Sequence, residues 1–272
     1  MADKKRVDVA LVERALAPSR EKAQALVMSG VVYIGETRVE KASVQVADDE
    51  ELLVRRTGTG YVSRGALKLE KGLRVFGVDA AGVVAMDLGA STGGFTDVLL
   101  QNGAAHVYAI DVGYGQLDWK LRRDPRVTIM ERTNARYLKA EDLPERPTLC
   151  VMDVSFISIR KILPAAAAIM GEEGAFISLI KPQFEAGRER VGKKGVVRDA
   201  QVHRDVILEI LRFIEQEMGW TAQALSFSPI RGPEGNMEFL VHILPKGRAT
   251  HSVTASEAED VVRQAHESLR ET

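Results

Sequence analysis

A single cysteine, Cys150, is all that 272 residues supply, so no internal disulfide can form and a reducing setting, the cytoplasm, is expected. Long apolar runs are equally scarce. Stretches such as Ala165 to Met170 and Ala175 to Ile180 fall far short of the ~18 residues that a membrane helix requires. The opening Met1 to Arg6 leads into no apolar signal core. The histidines His106, His203, His242, His251 and His266 are scattered without ligand spacing, so no metal centre is expected. No repeat or low-complexity segment interrupts the chain. A net charge of -1 announces no polyanionic partner in bulk. What remains is a composition of 45% hydrophobic and 28% charged residues, which suits a soluble globular protein, and a length that fits two domains.

Charge is placed unevenly along that length. Lys120 to Lys139 holds seven basic residues (Lys120, Arg122, Arg123, Arg126, Arg132, Arg136 and Lys139) against two acidic ones, and Lys181 to Arg204 holds seven against three. Either run is a solvated face or part of a surface for a polyanion.

Near the start, Val9, Leu11, Val12, Ala15 and Leu16 recur at helical spacing, and Pro18 ends the run. Ser19 then caps a second helix with Glu21 in its first turn, Ala23, Leu26 and Val27 as its apolar stripe, and Gly30 as its stop. Beyond it the period becomes that of strands: Val31 to Ile34, a Gly35-Glu36 turn, pieces around Val39 to Val46, and Leu52 to Val54. The string R-V-D-x-x-L-V, followed by S-R-x-x-A-x-x-L-V-x-x-G-V-V, resembles the alpha-L RNA-binding domain of a small-subunit ribosomal protein over Arg6 to Arg55. That resemblance implies that Arg20, Lys22, Arg38 and Lys41 face structured RNA, with Arg6 beside them, through phosphate contacts that position the protein without reading sequence.

A second signal begins at Val83-Val84-Ala85-Met86, a buried-strand run ending in Asp87-Leu88-Gly89-Ala90-Ser91-Thr92-Gly93-Gly94-Phe95-Thr96-Asp97, after which Val98, Leu99 and Leu100 open a helix. Strand, glycine loop and helix in that order make a ligand cradle. His106 to Ile110 forms the next strand, and Asp111 at its end lies at roughly the 20-residue interval from which a carboxylate accepts ribose hydroxyls. The loop is D-x-G-x-x-x-G rather than G-x-G-x-x-G, with Asp87 expected at its mouth. An acid there repels a pyrophosphate and suits a cation, which favours S-adenosylmethionine over a dinucleotide.

Four charged residues converge on the same edge. Asp153 ends the strand Leu149 to Met152, and Lys181 ends Phe176 to Ile180, cut off by Pro182. Glu238 opens Phe239 to Ile243, and an antiparallel course for that strand brings its start to this edge. Lys68 lies early on a helix capped by Ser63 with Ala66, Leu69, Leu73 and Phe76 as its apolar face. Each has an ordinary reading as well, Glu238 as a partner of Arg231 for example. Lys181 is the strongest of the four, because burial at a strand end favours the neutral amine that can take a proton.

R-G-A-L-K-L, D-L-G-A-S-T-G-G-F-T-D, D-V-G-Y-G-Q-L, E-R-T-N-A-R, D-V-S-F-I-S, K-P-Q-F-E and G-N-M-E-F, in this order, resemble the TlyA family, which joins the alpha-L domain to an FtsJ-like 2'-O-methyltransferase. The resemblance implies an α/β fold: a Rossmann-like class I methyltransferase with a mostly parallel sheet and an antiparallel last strand, behind a small α+β RNA-binding domain. The corresponding boundaries are residues 1–60, 61–248 and a helical tail over 249–272. It implies methylation of cytidine ribose in ribosomal RNA, of the large subunit and also of the small one, with ribosomal RNA or ribosomal subunits as partner. Lys68, Asp153, Lys181 and Glu238 map onto the family's catalytic tetrad. Asp87, Gly89, Ala90, Ser91, Gly93, Gly94, Phe95, Asp111, Asn134 and Asp153 form the expected cofactor pocket. Arg64, Arg136, Arg188, Lys193 and Lys194 are expected to flank the RNA. A noncatalytic RNA-binding assembly factor and a membrane-lysing hemolysin are the competing readings, and oligomeric state stays open.

Overall fold

In a computed structural model, the chain is described over residues 4–269 other than 15, 29–30, 36, 55–59 and 193. It divides into two compact units, Met1–Tyr61 and Val62–Thr272. Gly30, Glu36 and Lys193, and the side chain of Arg38, lie outside the described residues.

The first unit runs β1 (Lys4–Arg6), α1 (Val7–Glu13), α2 (Arg20–Met28), β2 (Val32–Ile34), β3 (Thr37–Arg38), β4 (Gln45–Ala47) and β5 (Leu52–Val54). Ser19 Oγ accepts from Lys22 N at the start of α2, as a capping serine does. β1 pairs antiparallel with β4, while β2 sits between β3 and β5. Val7, Leu11, Ala23, Val27, Val32, Val46 and Leu52 close a small core.

The second unit opens with α3 (Ala66–Phe76) and then alternates strands and helices: β6 (Val84–Leu88), α4 (Gly94–Gln101), β7 (His106–Ile110), α5 (Trp119–Arg122), β8 (Val127–Met130), β9 (Leu149–Met152), α6 (Leu163–Met170), β10 (Ala175–Ile180) and α7 (Pro182–Glu185). It ends with α8 (Ala200–Gln216), β11 (Trp220–Phe227), β12 (Phe239–Pro245) and α9 (Ala255–Ser268). One seven-stranded sheet results, in the order β11-β12-β10-β9-β6-β7-β8. β8, β7, β6, β9 and β10 are parallel, and β12 runs antiparallel to both β10 and β11. Val-Ala-Met-Asp-Leu in β6 and Leu-Cys-Val-Met in β9 are buried throughout, as parallel strands covered on both faces must be. Strand order reverses between β6 and β9, so a crevice opens outside their carboxyl ends.

The structure departs from the sequence expectation at the starts of α4 and α3. α4 begins at Gly94, four residues before Val98, because Asp87 Oδ2 accepts from Thr96 N at 2.9 Å and Thr96 Oγ1 at 2.7 Å. A strand residue thus caps the helix that Gly93, lacking a side chain, cannot cap. Ser63 does not cap α3. The cap position is Gly65, with no side-chain bond, and a side chain at Gly94 would collide with Ser63 Oγ, so Ser63 packs on the glycine loop.

Candidate active site

The carboxyl edge of the sheet in the second unit gathers Lys68, Asp153, Lys181 and Glu238. Lys68 Nζ lies 2.6 Å from Glu238 Oε2 and 3.4 Å from Asp153 Oδ2, and Lys181 Nζ lies 2.5 Å from Asp153 Oδ1. Lys181 Nζ also donates to Ser155 Oγ at 2.9 Å. Each position follows from its element. β9 and β10 run side by side, so Asp153 and Lys181 just past their ends meet. β12 runs the other way, so Glu238 precedes it at the same edge. α3 packs on α4, β10 and β12 and brings Lys68 in from above.

The chain Glu238, Lys68, Asp153, Lys181 pairs two cations with two anions and is largely dry. Glu238 is 0%, Lys68 5% and Lys181 6% exposed. Burial works against charge on Lys68, but Asp153 and Glu238 outweigh it and hold its pKa above the ordinary value. Burial likewise opposes the Asp153 carboxylate, and Lys68 and Lys181 outweigh it, so its pKa lies below the usual range. Lys68 is therefore a fixed cation and Asp153 a fixed anion. The Glu238 contact with Lys68 is one of charges rather than an aligned hydrogen bond, and Glu238 Oε1 meets no donor among the described residues. Buried oxygens left in this way mark a place for a further hydrogen-bond donor.

Beside the tetrad, Gly89 has φ 84°, and a Cβ there would stand 2.7 Å from the Asp153 carbonyl oxygen. Only glycine lets the loop lie this close to the end of β9. Gly93 and Gly94 are likewise backed by Leu117, Leu121, Ser63 and Ala66, while Ala90 and Phe95 are buried and Ser91 is exposed at the tip. Asp111 Oδ2 accepts from Ser91 N at 2.8 Å, and Oδ1 accepts from Gly113 N at 2.6 Å. Each oxygen keeps a further lone pair for a ligand hydroxyl. Val112, the next residue, is 70% exposed. Asn134 is exposed and its Oδ1 accepts from Arg136 N.

Asp87 departs from expectation. It does not stand at the loop mouth but is fully buried beneath the loop, tied to Thr96, and its Oδ1 has no partner among the described residues. Burial, with Asp153 and Asp111 adding, pushes its pKa up to about 7. Asp87 thus lies under the loop rather than against a ligand, and the acid left to meet one is Asp111, whose free lone pairs suit the hydroxyls of a nucleoside ribose. The donor set fits S-adenosylmethionine on that ground.

The basic segment 120–139 is less free than its composition implies. Lys120 pairs with Asp97, Arg122 with Glu131, Arg126 with Asp124 and Lys139 with Glu141. Arg123, Arg132 and Arg136 lie over Trp119, Tyr114 and Tyr137. Arg64, Arg136, Arg188 and Lys194 are exposed. In the first unit Arg6 and Arg20 both bond Asp8, Lys22 lies on α2, and Lys41 is exposed.

Sequence reasoning passed over four contributors. Ser155 holds Lys181. Asp97, 1% exposed, accepts from Val62 N and so fixes the approach to α3. A Cβ on Gly232 would stand 2.7 Å from Glu238 Cδ. Phe156 is 91% exposed with φ 64°, a strained setting for a non-glycine residue, and its ring lies 5.2 Å from that of Phe184. Ser155 and Phe156 carried a signal by adjacency to Asp153 in D-V-S-F, and Asp97 by closing the glycine-loop motif, while Gly232 carried none. A cavity of about 510 Å³ opens beside Phe156 and Phe184, with Ser158, Lys161 and Arg188 on its walls.

Comparison with known proteins places this geometry. Residues 61–243 match the FtsJ-like methyltransferase family, and residues 5–52 match the S4 domain. A Bacillus subtilis protein named as an rRNA methyltransferase, YqxC, is 49% identical over 98% of this chain and 96% of its own length. The 16S/23S rRNA (cytidine-2'-O)-methyltransferase TlyA of Mycobacterium tuberculosis is 44% identical over 97% of this chain and 98% of its own. Among solved structures, a protein from Streptococcus thermophilus titled a hemolysin superimposes with a TM-score of 0.77 at 43% identity, covering 99% of this chain and 98% of that one.

Proposed function

The chain belongs to the TlyA family of FtsJ-like methyltransferases with an S4 domain, and from that premise we propose that it methylates the 2'-hydroxyl of cytidine ribose in ribosomal RNA. S-adenosylmethionine is the donor; when bound it supplies an electrophilic methyl on a sulfonium. The observation that carries the reading is the buried tetrad beside the glycine loop, in which one carboxylate, Asp153, is shared by two ammonium groups.

That sharing supports the following division of roles. Lys68 is held charged between Asp153 and Glu238, so it serves as a fixed electrostatic group. Lys181 can release a proton without stranding Asp153, because Lys68 continues to satisfy that carboxylate. As the neutral amine, Lys181 Nζ accepts the proton of the attacking ribose hydroxyl while the oxygen–methyl bond forms and the methyl–sulfur bond breaks. Glu238 Oε1, without a donor of its own, orients that hydroxyl. Asp111 accepts the hydroxyls of the cofactor ribose, and the glycine loop with Ala90 and Ser91 walls its pocket. Phe156 offers a face to a nucleobase that has left its stack. Arg20, Lys22, Arg38 and Lys41 of the first unit, with Arg64, Arg136, Arg188, Lys193 and Lys194 of the second, meet RNA phosphates.

A similar solved structure carries a hemolysin name, and no helix among the described residues of this chain is long and apolar enough to cross a membrane. The test is transfer of labelled methyl to ribosomal RNA by purified protein. Lys181→Ala retains cofactor binding and loses transfer on this reading, and transfer at the normal rate by that variant refutes the assignment of the base.

A further inference from the structure

Two segments of the second unit brace each other at the carboxyl edge. Residues 153–159 follow β9, and residues 181–185 follow β10 and include α7. At one end Lys181 Nζ lies 2.5 Å from Asp153 Oδ1 and donates to Ser155 Oγ at 2.9 Å. At the other the buried Glu185 carboxylate accepts from Ser158 Oγ at 2.6 Å and from Ile159 N at 2.8 Å. Between them the rings of Phe156 and Phe184 stand 5.2 Å apart. Asp153 N, in turn, donates to the Leu88 carbonyl at 3.0 Å. Ser155 is thus placed by contacts on both sides of it and not only by its bond to Lys181.

That placement bears on the direction in which Lys181 can act. A lysine amine turns about its last carbon–nitrogen bond, and a single contact fixes its distance without fixing its turn. Two contacts fix both. An ionised Asp153 only accepts, and Ser155, being exposed, gives its own hydroxyl hydrogen to water while its oxygen accepts from Nζ. The neutral amine has two hydrogens, and both are then engaged. Its lone pair is left in the one remaining direction, where Lys181 makes no bond among the described residues. Without Ser155 the lone pair can also occupy the position that Ser155 now claims.

We propose that Ser155 is a positioning residue for the methyl transfer: by accepting one N–H of Lys181 it aims the lone pair of the amine at the ribose 2'-hydroxyl. The proposal rests on the reading that Lys181 is the base, and goes beyond it in naming what orients that base. The balance of the step is unchanged. The ribose oxygen gains the methyl, its proton passes to Lys181, and the sulfonium leaves as a neutral thioether. One hydrogen bond that holds a reacting group in line carries a factor of about ten in rate.

The test is steady-state methyl transfer to ribosomal RNA by the full-length protein, with cofactor affinity read by calorimetric titration. Ser155→Ala should lower kcat about tenfold and leave the KM for RNA and the affinity for S-adenosylmethionine unchanged. Ser155→Cys keeps the shape but offers only a weak acceptor, so it should lose rate nearly as the alanine variant does. Ser155→Thr keeps the hydroxyl and should restore most of the loss. A wild-type kcat in Ser155→Ala or Ser155→Cys overturns the proposal, as does a Ser155→Thr protein no faster than Ser155→Ala. A loss confined to KM or to cofactor affinity overturns it too, since that marks a binding contact and not an aimed base. A Lys181→Ala protein that transfers at the normal rate overturns the underlying reading and this proposal together. An inactive Lys181→Ala protein beside an unaltered Ser155→Ala protein overturns only the role of Ser155.

Discussion

Lys68 and Glu238 meet at 2.6 Å with both side chains buried, and neither charge has water to fall back on. Removing Lys68 leaves Glu238 with no cation, at a cost of about 3 to 5 kcal/mol, whereas removing Glu238 leaves Lys68 its contact with Asp153 and costs less. Lys68→Ala should therefore lower stability by that order and Glu238→Ala by less, and the double substitution Lys68→Met with Glu238→Leu should recover much of the Lys68→Ala loss while remaining inactive. Urea unfolding together with methyl transfer checks both halves. Additive losses in the double variant would mean that the pair is not coupled.

Gly232 carries no side chain where one would press on the carboxyl carbon of Glu238 at 2.7 Å. Gly232→Ala should displace that carboxylate and lower kcat by about tenfold or more, since a small misplacement is costly at a reacting centre. RNA affinity and cofactor affinity should hold. Steady-state kinetics with separate binding titrations distinguish this from a general loss of fold.

Asp111 accepts from Ser91 and Gly113 and keeps lone pairs for the ligand ribose. Asp111→Ala should weaken S-adenosylmethionine binding by about tenfold, the worth of a charge-assisted hydrogen bond, and leave RNA binding alone. Calorimetric titration reads the first and filter binding the second.

His242 is 7% exposed and stacks on Phe76 with ring centroids 5.6 Å apart. Burial, with Arg248 adding, pushes its pKa down to about 4. Between about pH 6.5 and pH 4 the unfolded chain takes up a proton that the folded chain refuses, so stability is lost as pH falls through that window. His242→Phe keeps the stacking and should remove roughly 2 kcal/mol of that acid sensitivity. His203, also pushed down to about 4 by burial, keeps the rest. Unfolding midpoints at neutral and mildly acidic pH measure the difference.

The strand ends were legible because parallel strands are apolar runs that stop at a charge: Leu149 to Met152 before Asp153, and Ala175 to Ile180 before Lys181. Once β12 is taken as antiparallel, Glu238 falls to the same edge, and that much needs only direction and length. Partnership is another matter. Arg231, near in sequence, invites Glu238, yet Arg231 bonds the Gly235 and Leu269 carbonyls while Glu238 faces Lys68. Asp87 looks like a loop-mouth acid because its neighbours are glycines, but the strand pleat points it inward to Thr96. Which way a side chain faces at a strand end is settled by the packing of distant elements, and no local pattern records it.

The central claim is that Lys181 takes the proton of a cytidine 2'-hydroxyl. Its most direct test is mass spectrometry of nuclease-digested ribosomal RNA, after incubation with purified protein and methyl-labelled S-adenosylmethionine. Label in 2'-O-methylcytidine with the wild type, and none with a folded, cofactor-binding Lys181→Ala protein, is the predicted result. Label on a base, or equal 2'-O-methylcytidine from both proteins, would contradict it.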